Sequence, residues 1–171
     1  MSERSVEIAK QSISGSNKYD YFVVGIGAAT FGYFAKDYEA VGEVGINENS
    51  LIVISLFLLA ISVVSGLKKI ERHNKFLEKN GKYLDLAEHL AGYSRNVIEG
   101  GVAINEESGE ILNPSDSALK AAALKRWLPS LKLELERSGN IIGWYSIFRD
   151  YSLFLAYCTL VFSKLLPFFY S

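Results

Sequence analysis

His73 and His89 are the only imidazoles in the chain and lie sixteen residues apart. Neither has a second histidine or a cysteine at the spacing a metal ion needs. Asp85 and His89, at i and i+4, share a helix face and read as a surface pair. Ser94 sits in Gly92-Tyr93-Ser94-Arg95-Asn96, which lacks the second glycine of a nucleophile elbow and falls within a helical pattern rather than after a strand. Gly25 and Gly27 open a glycine pattern that Thr30 breaks, so it is no dinucleotide fingerprint, and no P-loop is present. Glu106, Glu107 and Glu110 gather three carboxylates on a turn, where water solvates them. Cys158 is the single cysteine, which excludes an internal disulfide. These residues predict a protein that is not an enzyme, with no catalytic, cofactor-binding or metal-ligating set and no cofactor.

The densest charge is basic. Residues 68–82 hold six Lys or Arg against Glu71 and Glu78, and they follow directly on 51–67, a run without a charged side chain. An apolar run closed by a basic block reads as a membrane span whose C-terminal end faces the cytoplasm. Lys68, Lys69, Arg72 and Lys75 are then the headgroup contacts, at ~1 kcal/mol for each cation near an anionic surface. The formal net charge is -1 and the pI near 6.1, so no nucleic-acid partner is expected.

The elements that must position these groups follow from periodicity. Residues 1–18 are polar and mixed in charge, without the pattern of a secretory signal, and predict a short cytoplasmic amphipathic segment broken near Ser14, Gly15 and Ser16. Residues 19–35 form a first span, with tyrosines and phenylalanines at both ends as interface anchors. Within it Gly25, Ala28, Ala29 and Gly32 make a small-residue stripe that lets another helix approach closely. A short acidic loop with Asp37, Glu39, Glu43 and Glu48 leads to the second span, 51–67, capped by Asn49 or Ser50. Its weakly polar stripe of Ser55, Ser62 and Gly66 either bonds a neighbouring helix or lines a pore, together with Lys164 from further on.

Beyond residue 67, Phe76-Leu77, Tyr83-Leu84, Leu90-Ala91 and Val97-Ile98 repeat every seven residues. That spacing predicts one helix continuing to about Glu99 across Asn80-Gly81, with a packing seam at Leu77, Leu84, Ala91 and Ile98. Gly100-Gly101 ends it. A small β-hairpin is expected near 102–112, followed by a helix capped at Ser115 or Asp116 and ended or kinked at Pro129. Ser130 to Arg137 resumes helix, although Leu131, Leu133 and Leu135 alternate as in a strand, and Ser138-Gly139-Asn140 reads as a turn. Residues 141–171 hold an interfacial helix, with a third span at 151–169; the alternative is a cytoplasmic helix folded back on the seam. The predicted division is therefore 1–18, a membrane hairpin at 19–67, a cytoplasmic helical region at 68–140 and the C-terminal 141–171. The fold class is mainly α and integral to a membrane, with two to three transmembrane helices, a long cytoplasmic helical extension and a small β-hairpin.

The order of parts in the first half resembles the small two-transmembrane effector proteins of bacterial anti-phage defence systems. An aromatic-rich span led by Lys18-Tyr19-Asp20-Tyr21-Phe22 is followed by a short acidic loop, a second span, then Lys68-Lys69 and a long charged helix. The resemblance implies an oligomer in the bacterial inner membrane, N-terminus cytoplasmic, that forms a pore or disrupts the membrane when a soluble sensor signals infection. The hairpin, the helix around Pro129 and the third span lie outside that pattern. The competing expectation is a non-conducting anchor or adaptor that recruits a soluble partner through its cytoplasmic helices. The expected partners are the lipid bilayer, further copies of the chain and a regulatory protein.

Overall fold

The computed structural model describes residues 3–36, 38, 47–100, 103–104, 109 and 111–170. The protein is mainly α. Helix α1 runs Glu3–Lys36, α2 Glu48–Glu99 and α3 Pro114–Tyr170. Between α2 and α3 lie two two-residue strands, β1 (Ala103–Ile104) and β2 (Ile111–Leu112), paired antiparallel with Ala103 opposite Leu112 and Ile104 opposite Ile111. The acidic residues Asp37, Glu39 and Glu43, and Glu106, Glu107 and Glu110 of the expected turn, lie outside the described residues.

Two expected breaks are absent, since α1 passes through Ser14-Gly15-Ser16 and α3 through Ser138-Gly139-Asn140, and α3 does not end at Pro129. One glycine costs a helix only ~1 kcal/mol, and proline removes a single backbone donor at ~3 kcal/mol, so tertiary packing of flanking side chains such as Leu128 and Leu135, both buried, can outweigh them. The helix caps also differ from expectation. Asn47 rather than Asn49 or Ser50 caps α2, its Oδ1 accepting the Ser50 N–H at 2.8 Å. Helix α3 begins at Pro114, with the Ser117 N–H bonded to the Asn113 carbonyl at 3.0 Å; proline suits this first helical position because its missing donor would be unpaired there anyway. Helix α2 ends where Gly100 takes a φ of 67°, the left-handed conformation that closes many helices.

The chain divides into two compact units, Met1–Arg72 with Ile142–Ser171, and His73–Ile141. In the first, contacts of Asp20 with Lys69 and of Gly27 with Val63 set α1 antiparallel to α2. Bonds from Ser55 to Ala156 and from Ser62 to Arg149 set α2 antiparallel to α3. This up-down-up arrangement has a small apolar centre of Leu59, Ala156 and Leu160, flanked by Phe34, Leu58, Leu153 and Tyr157. In the second unit the rest of α2 runs antiparallel to the start of α3, with Lys79 paired to Glu134 and Asn96 donating to Ser117 Oγ at 2.7 Å. Its buried apolar residues are Ala121, Leu128 and Leu135.

Among the described residues, α2 is the one helix with a stretch long and apolar enough to cross a membrane, and only 22% of that stretch is buried. A core helix of comparable hydrophobicity in a water-soluble protein is mostly buried. The described parts of 19–35 and 151–169 are also helical but less apolar, being diluted by tyrosine, serine and charge.

Candidate functional site

The first unit buries polar side chains where a water-soluble bundle buries aliphatic ones. Asp20 and Arg149 are 2% and 1% exposed, and Ser55, Ser62, Ser152 and Ser163 are buried with them. Asp20 is the hub: its Oδ1 accepts from Lys69 Nζ at 2.6 Å and from an Arg149 terminal nitrogen at 2.5 Å. Arg149 also donates through Nε to Asp150 at 2.8 Å, and its guanidinium lies 5.6 Å from the centre of the Tyr19 ring. Two cations and two carboxylates leave the cluster neutral overall.

The backbone around this cluster is held as tightly. The Arg149 carbonyl accepts from Ser62 Oγ at 3.0 Å and from Ser152 Oγ at 3.1 Å. Gly66 lets the helices close on it, since a Cβ there would collide with Val24 Cγ2 and come within 3.2 Å of Arg149 Cδ. Further along the unit, Thr30 and Tyr157 share a hydrogen bond of 3.0 Å, and Lys164 pairs with Glu48 at 2.6 Å. The arrangement joins three helices by charge and hydroxyl bonds; it presents no nucleophile beside a base. No group of three metal-binding side chains occurs among the described residues. His73 Nε2 is buried without a hydrogen-bond partner, while the His73 ring stacks on Phe76.

Ser55 and Ser62 take the first of their two expected roles within this chain: they are buried and donate to carbonyls of α3, at 2.8 Å and 3.0 Å, and Gly66 is buried beside them. A hydroxyl flanked by an apolar helix gains more from a second helix's carbonyl than from facing lipid. Lys164 is exposed and paired. The stripe Gly25, Ala28, Ala29 and Gly32 is exposed, with open space where a Cβ on Gly25 or Gly32 would go. The glycine of α1 that does pack is Gly27, whose Cβ would stand 3.2 Å from Val63 and 3.7 Å from Leu153.

Of the headgroup residues, Lys68, Arg72 and Lys75 are exposed, but Lys69 is turned inward to Asp20. The expected seam is only partly covered within this chain. Leu77 is half-buried, whereas Leu84, Ala91 and Ile98 are exposed, Ile98 at 85%; Tyr83 and Leu90, both half-buried, line a groove shared with α3 instead. The apolar stripe is two residues wide, and only one of each pair can turn towards a single partner helix.

The Asp20–Lys69–Arg149 cluster was missed by treating each charge as an isolated headgroup anchor. A usable signal existed: in an up-down-up arrangement the start of residues 19–35, the end of 51–67 and the start of 151–169 share one end of the bundle, and Asp20, Lys69 and Arg149 place one carboxylate there against two cations. Comparison with known protein families, curated proteins and solved structures gives no match.

Proposed function

We propose that the chain is an integral protein of the bacterial inner membrane, N-terminus cytoplasmic, that anchors a cytoplasmic helical unit for recruitment of a soluble partner and does not itself conduct. Residues 19–35, 51–67 and 151–169 are its three spans. The observation that carries this reading is the inverted polarity of the first unit: Phe22, Phe57, Trp144, Phe148, Tyr151 and Phe154 face outward while Asp20, Arg149 and four serines face inward. Lipid solvates the former, and in its absence of water the latter must pair with one another. The level of the ion pairs supports three spans, with Asp20, Lys69 and Arg149 at one end of the bundle and Glu48 with Lys164 at the other. A reporter fused after Ser171 should lie on the outer face; a cytoplasmic signal removes the third span.

A non-conducting anchor is favoured over a pore within one chain because the serines that would wet a path are consumed in helix contacts. The second reading is an oligomeric pore-forming or membrane-disrupting effector of bacterial defence. It draws on the exposed stripe Gly25, Ala28, Ala29 and Gly32, which is suited to close approach of another copy. Controlled expression with a membrane-potential dye separates the two. An unchanged potential at high expression, with a soluble protein co-purifying in fixed ratio with the full chain, supports the anchor; collapse of the potential supports the effector.

A further inference from the structure

We propose that the groove between α2 and α3 in the second unit is the docking site for an acidic amphipathic helix of that soluble partner, an inference that rests on the recruiting reading above. The groove, of about 450 Å³, is lined by Tyr83, Ala87 and Leu90 from α2 and by Lys125, Leu128, Pro129 and Lys132 from α3. Leu128 is buried in its floor, and Tyr83, Ala87 and Leu90 are half-buried. Neighbouring lysines of the same unit are neutralised, Lys79 by Glu134 and Lys82 by Glu78. Lys125 and Lys132 are exposed and pair with no carboxylate among the described residues; Glu136, one turn past Lys132, binds neither.

An apolar floor between two uncompensated cations is complementary to one apolar helix face edged by carboxylates. Lys125 and Lys132 are seven residues apart on one helix, so their stems are separated by roughly 10 Å. The occupant therefore carries Asp or Glu two turns apart, with large aliphatic or aromatic side chains between them at the i, i+3, i+4 positions that fill such grooves. A concave groove of this size fits the ridge of a helix better than the flat surface of a bilayer.

The test uses the full chain in detergent micelles and a labelled synthetic helix with leucines along one face and glutamates two turns apart, followed by fluorescence anisotropy. Its counterpart has lysine in place of each glutamate. The acidic helix should bind, weaken as salt is added, and lose about tenfold or more in affinity to K125E/K132E, since reversed charges at an interface are strongly unfavourable. Ala87→Trp should block the groove by filling it. Helix content by circular dichroism should be unchanged in both variants, because Lys125 and Lys132 are at the surface and Ala87 borders open space.

Failure of the acidic helix to bind, or equally tight binding of the basic one, overturns the proposal. So does a change in the chain's own oligomer size in K125E/K132E, which would make a second copy the occupant. A soluble partner retained by K125E/K132E as strongly as by the unaltered chain would overturn the groove while leaving recruitment standing. Release of the chain from membranes by alkaline extraction would instead remove the anchoring reading, with peptide binding still decided by its own titration.

Discussion

The two units are built from the same element but differ in the charge they bury: among the described residues, Asp20 and Arg149 are buried in the first and no charged side chain is buried in the second. In the first, residues buried between helices include an aspartate, an arginine and four serines, and the outer surface carries phenylalanine, tryptophan and tyrosine. In the second, Ala121, Leu128 and Leu135 are buried together with the uncharged polar pair Asn96 and Ser117, Ile98, Leu119 and Trp127 are exposed, and the charged residues lie mostly at the surface, including the pair of Glu78 with Lys82. In water, burying apolar area contributes ~25 cal/mol per Å² and orders the second unit in the ordinary way. In lipid that drive is absent between helices, and cohesion must come from close packing and from polar groups that have nowhere else to turn. Under the proposed membrane anchor the contrast corresponds to a different solvent for each unit, and it can be broken experimentally.

The largest effect is expected at the hub of the first unit. Asp20→Ala leaves Lys69 and Arg149 without their shared carboxylate, and removing one partner of a buried pair costs ~3–5 kcal/mol. Denaturant unfolding in micelles should show that loss, and adding Arg149→Ala should recover part of it. An additive double variant would show that the pair is not coupled. In the second unit the corresponding lesion is apolar: Leu128→Ala should cost ~2–5 kcal/mol through lost burial and a cavity, read from the same unfolding curves.

Phe57→Lys tests the solvent directly. Phe57 is 68% exposed and lies near the middle of 51–67, so a cation there should reduce membrane insertion by ~2.5–3.5 kcal/mol. Ile98→Lys, at a still more exposed apolar site of the second unit, should change stability by less than ~0.5 kcal/mol. Equal, negligible effects at both sites in an insertion assay would end the claim that the units meet different solvents. Ser55→Ala should be milder, ~0.6 kcal/mol for one interhelical hydroxyl bond in a membrane bundle, measured by unfolding in micelles.

The smallest effect belongs to the surface of the second unit. Lys82 donates to Glu78 and holds its carboxyl below the ordinary 4.5. The folded value is the lower one, so this contribution is present above the unfolded value and is lost as pH falls through the folded one. Carboxyl titration by NMR should show the depression in the unaltered chain and its absence in Lys82→Ala.

Much of the architecture was legible in the order of residues. The uncharged run at 51–67 and the heptads after it predicted one helix through Asn80-Gly81, and α2 extends unbroken over Glu48–Glu99. Its end at Gly100 was legible too, because few residues other than glycine adopt a φ of 67°. The continuity of α1 past Gly15 and of α3 past Pro129 and Gly139 was not. Propensity marks those residues as breakers, and only the neighbours they pack among decide whether the cost is met.

What the sequence determined by itself is therefore helical class, the two-wide apolar stripes and the charge of each element's ends, since these depend on local spacing alone. Which residue of each stripe faces a partner was decided in three dimensions: Gly27 rather than Gly25 or Gly32, Tyr83 and Leu90 rather than Leu84 and Ala91. The same holds for Asp20, Lys69 and Arg149, which are 49 residues apart for the first two and 129 for the first and last. A rotation of 100° separates adjacent residues on a helix, and no local pattern fixes that rotation. It is set when three helices settle so that every buried charge and hydroxyl finds its partner.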